Sequence, residues 1–144
     1  WRILHSLIKS PMNIRMHKDD RNRIAHNVAP MEYTVDAKGR TLGRVASEAA
    51  HALLGKKSTS FVKNKVLPVQ VTIVNAKKLM IREKMLKEKT YRRYTGYPGG
   101  LREMTLAEFI EKKGIAEVLK KTVDGMLPRN RLRKERMKRL TVND

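Results

Sequence analysis

Val69-Gln70-Val71-Thr72-Ile73-Val74 is the most strand-like run in the chain, rich in β-branched residues and nearly continuously apolar. A run of that kind suits a central strand covered on both faces, so helices are expected above and below it. Further back, Tyr33-Thr34-Val35-Asp36 is a shorter β-prone run, and Lys38-Gly39-Arg40 makes the turn after it. Leu42, Val45, Ala46, Ala49, Ala50 and Leu53 then recur at helical spacing, with Gly55 as the stop. The alanines make that apolar face thin, which suits close packing on a sheet. Strand, turn, helix and strand in this order predict a right-handed crossover between parallel neighbours. The expected fold class is α/β: a three-layer α/β/α sandwich with a small, mostly parallel central sheet, plus basic loops and a basic C-terminal arm over about residues 125–144.

Beyond the central run, residues 77–85 turn away through Leu79-Met80-Ile81, and residues 87–94 read as another extended, very basic segment. It leads into a loop, Tyr94-Thr95-Gly96-Tyr97-Pro98-Gly99-Gly100. Tyr91, Tyr94 and Tyr97 stand here beside Lys87, Lys89, Arg92 and Arg93. An RNA-facing loop needs cations for phosphates, rings for stacking and glycines for close backbone approach. The plainer reading is a tyrosine-rich strand packing inward. Thr105 with Glu108 forms a capping box, and Met104 with Phe109 a hydrophobic staple, so a helix starts there. Leu106, Phe109 and Ile110 make its buried face, and Lys112-Lys113-Gly114 its end. Ile115, Val118, Leu119 and Val123 stripe a second helix expected to end at Gly125.

After Pro128 the chain carries Arg129, Arg131, Arg133, Lys134, Arg136, Lys138 and Arg139 against the single acid Glu135. Cations packed so closely repel one another unless a polyanion sits beside them; a solvated helix face is the plainer alternative. The whole chain points the same way. Its 144 residues hold 33 Lys and Arg against 14 Asp and Glu, a net charge of +19. A polyanionic partner follows, with nucleic acid ahead of an anionic membrane. The strand, glycine turn and helix at residues 33–53 also invite a nucleotide-phosphate reading, since helix N-termini attract anions. Gly39-Arg40-Thr41-Leu42-Gly43-Arg44 lacks the full phosphate-loop pattern, however, and a backbone phosphate of RNA is the better guest.

Length and a 40% hydrophobic content suit one domain, assigned to residues 32–144. Residues 1–31 are expected to be a poorly ordered basic extension, or sequence ahead of a start at Met31: the chain opens on Trp1, Pro11 interrupts a mildly apolar beginning, and Asp19 and Asp20 do not suit a transit peptide. There is no cysteine, which excludes disulfides and thiolate metal sites, and no apolar run long enough to cross a bilayer. His5, His17 and His26 match no metal-ligand spacing, so no metal is expected. An enzyme is not expected either. No histidine follows His51, and Glu108, Glu111 and Glu117 lie on helices whose apolar residues face elsewhere. Asp36, at the end of a strand where α/β proteins place chemistry, is read as a turn-capping residue.

Four motifs, in order and spacing, resemble the universal large-subunit ribosomal protein thirteen family. They are Val35-Asp36-Ala37 with Thr41-Leu42-Gly43-Arg44; Val74-Asn75-Ala76; the Tyr94 to Gly100 loop; and Gly125-Met126-Leu127-Pro128 with Asn130 and Leu132. The resemblance covers nearly everything after Met31. It implies an α/β/α body, binding to large-subunit ribosomal RNA, contact with neighbouring ribosomal proteins, an early role in subunit assembly, residence in the ribosome of the cytoplasm or an organelle, and no catalysis, cofactor, membrane or small-molecule substrate. The chain departs from the family at residues 61–68, FVKNKVLP, and at Asp124, where a basic or aromatic residue is more usual. Charge and resemblance together nominate as RNA-facing Lys38, Arg40 and Arg44; Lys56 and Lys57; Lys89, Arg92, Arg93, Tyr94, Thr95, Gly96, Tyr97, Gly99 and Gly100; and Pro128, Arg129, Asn130, Arg131, Arg133 and Lys134. Two rivals stand beside this reading: a translational regulator that binds messenger RNA off the ribosome, and an α/β enzyme acting on nucleotides.

Overall fold

In the computed structural model, which describes residues 31–144, a three-stranded parallel sheet forms the base of the molecule. Its strands are β1 (Met31–Asp36), β2 (Val69–Val74) and β5 (Leu140–Val142), in the order β1-β2-β5. The expectations for residues 1–31 lie, Met31 apart, outside the described residues. The connections run through α1 (Leu42–Leu53) and, after β2, through α2 (Glu83–Glu88), an antiparallel hairpin of β3 (Thr90–Tyr94) and β4 (Leu101–Thr105), α3 (Leu106–Met126) and α4 (Leu132–Met137). This is the α/β class with a small, mostly parallel sheet.

Register explains which face is covered. Tyr33, Val71 and Leu140 lie side by side, as do Val35, Ile73 and Val142, all on the face under α1. Val71 and Ile73 are wholly buried there, as are Val45, Ala46 and Ala49 of α1. Both crossovers step across the sheet in the same direction, so right-handed connections lay α1 and α3 on the same face, and the two helices pack on each other. The other face carries Glu32, Thr34, Gln70 and Thr141, all exposed. A second helical layer, expected from the apolar look of residues 69–74, is not among the described residues. Gln70 and Thr72 alternate with the buried valines and isoleucine, which is the period-two pattern of a strand with one wet face.

Several local expectations meet their physical reasons. Thr105 Oγ1 accepts the Glu108 amide at 3.4 Å and caps α3, as the capping box predicts. Gly114 interrupts that helix with φ +81° and ψ 165°, a conformation only glycine adopts without strain, and Val118, Leu119 and Val123 continue the buried stripe beyond it. Gly125 does not end the second segment. The helix runs through it to Met126 and stops at the buried Leu127, just ahead of Pro128. Residues 83–88 are helical where an extended segment was expected to follow a turn, and that segment shortens to Thr90–Tyr94.

The basic C-terminal arm is itself folded. Its last residues form β5 against β2, with Val71 opposite Leu140 and Ile73 opposite Val142. Arg136 is 1% exposed, and its guanidinium donates to the carbonyls of Lys63 (3.5 Å) and Lys65 (3.3 Å). Arg139 donates to the carbonyl of Leu67. Two of the seven clustered cations therefore fasten residues 63–67 to the C-terminal segment. Arg133 makes a two-pronged ion pair with Asp124, so that acid lies against a cation of the arm.

Candidate nucleic-acid interface

The nominated residues fall into three groups. The first surrounds the start of α1. Asp36 Oδ1 accepts the Lys38 amide and the Asn75 side chain, each at 3.0 Å, and these bonds hold its carboxyl below the usual carboxylate range, the Lys38 amide being the larger cause. Asn75 itself has a left-handed backbone, at φ +59°. Asp36 is thus a turn clamp, as its sequence position suggested, and ties the ends of β1 and β2. Arg40 pairs with Glu48 at 2.7 Å, and Lys57 reaches the same carboxylate at 3.3 Å. The hydrogen bond from Arg40 is the main reason the Glu48 carboxyl sits below its ordinary value. Arg40, Arg44, Ser47, Glu48, His51, Lys56 and Lys57 line a shallow hollow of about 400 Å³. Lys38, Arg44 and Lys56 remain exposed with no ion pair to an acid of the described residues.

A second groove, about 530 Å³, separates the start of α1 from α2. It is lined by Thr41, Leu42, Gly43, Met80, Arg82, Lys84, Met85, Glu88 and Lys89. Neither a side-chain cap nor an acidic residue occupies the first turn of α1, so its positive end faces solvent. Arg82 and Lys84 belong here although sequence reading passed over them. They read as parts of a turn, and only the packing of α2 brings them to the helix start.

The hairpin forms the next group. Tyr91 and Met104 face inward, with the Tyr91 ring 4.9 Å from Phe109. The plainer reading therefore holds for Tyr91, while Tyr94 (63% exposed) and Tyr97 (75%) stand in solvent at the tip. Arg92 pairs with Glu103 at 2.6 Å. Arg93 lies directly opposite Arg102, and a like-charged cross-strand pair costs stability unless an anion bridges it. Arg102 was missed by sequence reading. A hairpin register centred on residues 95–100 would have found it. Thr95 and Gly96 lie in the exposed tip, and Gly99 sits at φ +71° with open space around it. At Gly100 a β-carbon would meet Thr95 Oγ1 and the Tyr97 carbonyl, the latter at 2.8 Å. Lys121 and Lys89 lie over the Tyr91 ring at 4.9 and 5.4 Å, and Lys113 over Phe109 at 5.5 Å.

In the third group, Pro128, Arg129, Asn130, Arg131 and Lys134 are exposed around the start of α4, while Arg133 is half-buried on Asp124. No set of three or more His, Cys, Asp or Glu side chains among the described residues could hold a metal, and no described helix is long and apolar enough to cross a membrane.

Fold and surface define a class: a small α/β scaffold in which Asp36, Glu48 and Asp124 serve as clamps while cations are presented outward in groups, as in proteins built against polyanions. Comparison with known proteins narrows the class to a family. A sequence model of the family described as ribosomal protein L13 matches residues 30–144. The large ribosomal subunit protein uL13 of Clostridioides difficile is 44% identical over 110 residues, 76% of each chain. That of Moorella thermoacetica is 41% identical over 117 residues, 81% of each chain. That of Citrifermentans bemidjiense is 41% identical over 110 residues, 76% of this chain and 77% of the relative. The chain belongs to the ribosomal protein L13 family, whose members are structural components of the large ribosomal subunit and not enzymes.

Proposed function

We propose that the protein binds large-subunit ribosomal RNA through the start of α1, the β3-β4 hairpin and residues 128–134, and that it supports early assembly of the subunit. The observation that carries this reading is the division of labour among charges. Asp36, Glu48 and Asp124 are engaged by the protein's own donors, whereas Lys38, Arg44, Lys56, Arg129, Arg131 and Lys134 are exposed without an acidic partner among the described residues. Cations held at the surface in this way are offset by phosphates, whose counterions are released on binding. Neighbouring ribosomal proteins complete the set of partners, and the cytoplasmic ribosome is the proposed location.

If roughly 6 to 10 phosphates are neutralised, affinity for deproteinised large-subunit RNA should fall by about 10³ to 10⁵ between 50 and 200 mM salt. A flat salt response would exclude the reading. Co-sedimentation of the tagged protein with large subunits after a high-salt wash tests its assembly into the particle.

A further inference from the structure

We infer that residues 63–64 and 130–131 form one composite subsite for a single nucleotide of unpaired RNA, with a phosphate held by Lys63 and Arg131 and the ribose hydroxyl or base edge held by the amides of Asn64 and Asn130. This deepens the RNA reading above and rests on it. The two segments are far apart in sequence yet line one cleft of about 320 Å³, with Leu132 at its wall. That volume is at the low end for a ligand pocket, which suits one nucleotide rather than a helix.

What brings the segments together is the buried Arg136. Its guanidinium donates to the carbonyls of Lys63 and Lys65, and Arg139 holds Leu67 beside them. Arg136 has no carboxylate partner among the described residues, and its Nε is buried without any hydrogen-bond acceptor. A full positive charge thus lies shielded from water against the Lys63 and Lys65 carbonyls, and a charge so shielded acts on a nearby anion more strongly than a solvated one does. Lys63 and Arg131 add two exposed cations at the rim, and no acid lines the cleft. The amides add what phosphate binding alone does not need: paired donors and acceptors, able to read a 2′-hydroxyl or a base edge. Residues 63–64 lie in the loop ahead of β2, and Asn130 and Arg131 follow Pro128, so neither half is complete alone.

The test uses the full chain with two probes, deproteinised large-subunit RNA and a single-stranded oligonucleotide of mixed sequence made as RNA and as DNA. Lys63→Ala with Arg131→Ala should lower the slope of log affinity against log salt by about 1 to 2. Asn64→Ala with Asn130→Ala should leave that slope unchanged, weaken RNA binding about five- to tenfold and reduce the preference for the RNA oligonucleotide over its DNA equivalent. All four positions are exposed, so the variants are expected to melt as the parent does. Parent-like binding by both double variants, alongside lost affinity in the hairpin variant Arg92→Ala with Arg93→Ala, would overturn the subsite and leave the broader RNA reading standing. An unchanged salt slope for the lysine and arginine variant would also overturn it. Parent-like binding by all three variants, with a flat salt response, would overturn both.

Discussion

At the scale of single residues, the acids and buried arginines decide how the cations are displayed. Asp36 and Glu48 both titrate below the ordinary carboxylate range in the folded protein, because Lys38 and Asn75 bond the first and Arg40 and Lys57 the second. Their folded values lie below their unfolded ones. Their stabilising contribution is therefore complete above the unfolded value, near pH 4, and is lost as pH falls toward the lower folded values. Carboxyl NMR titration should show both midpoints displaced downward, and Asp36→Asn should remove part of the acid sensitivity of folding. Arg136 makes the opposite kind of contribution, since it acts by burial. Arg136→Ala empties a buried volume and strips two carbonyls of their donor, so urea unfolding should show a loss of about 2 to 4 kcal/mol.

At the scale of elements, the hairpin and α3 form one unit. Tyr91 and Met104 anchor the base of the hairpin to α3, the Thr105 cap starts the helix where β4 ends, and the exposed tip carries no core. The two adjacent glycines of that tip do different things. Gly99→Ala meets no atom but must hold φ +71°, which costs on the order of 1 kcal/mol. Gly100→Ala runs into the loop's own Thr95 and Tyr97, so the tip has to open. Thermal melting should therefore change little for Gly99→Ala and for Gly100→Ala alike, because neither touches the core. RNA affinity should fall more for Gly100→Ala, and equal affinities would show that the shape of the tip is not what RNA reads.

At the scale of the whole molecule, the sheet is closed by the far end of the chain. Leu140 is buried beside Val71, and the Asn143 amide donates to the carbonyl of Ile73 at 2.8 Å. Removing residues 140–144 takes away an entire strand and exposes one side of β2, so circular dichroism and melting should report global unfolding rather than trimming of a loose tail. The same deletion removes little charge. Lost RNA binding in an unfolded variant would thus separate the fold's contribution from that of the cations.

Much of this was legible in residues alone. β1, β2, α1 and the start of α3 follow from period, caps and turn chemistry, all of them local signals. The excess of cations over acids indicated a polyanionic partner without any coordinates, because net charge is a property of composition. Tertiary structure decided the rest. Gln70 is exposed and Thr72 only half-buried because both crossovers step the same way across the sheet, a matter of topology. Leu140 to Val142 is too short to declare itself a strand and becomes one only by pairing with β2. Above all, sequence counts Arg133, Arg136 and Arg139 as equal members of a basic run, whereas the fold gives each a separate partner: Asp124, the carbonyls of Lys63 and Lys65, and the carbonyl of Leu67. Charge can be read one residue at a time, but whether a charge is free for a partner depends on what the fold places within hydrogen-bonding reach.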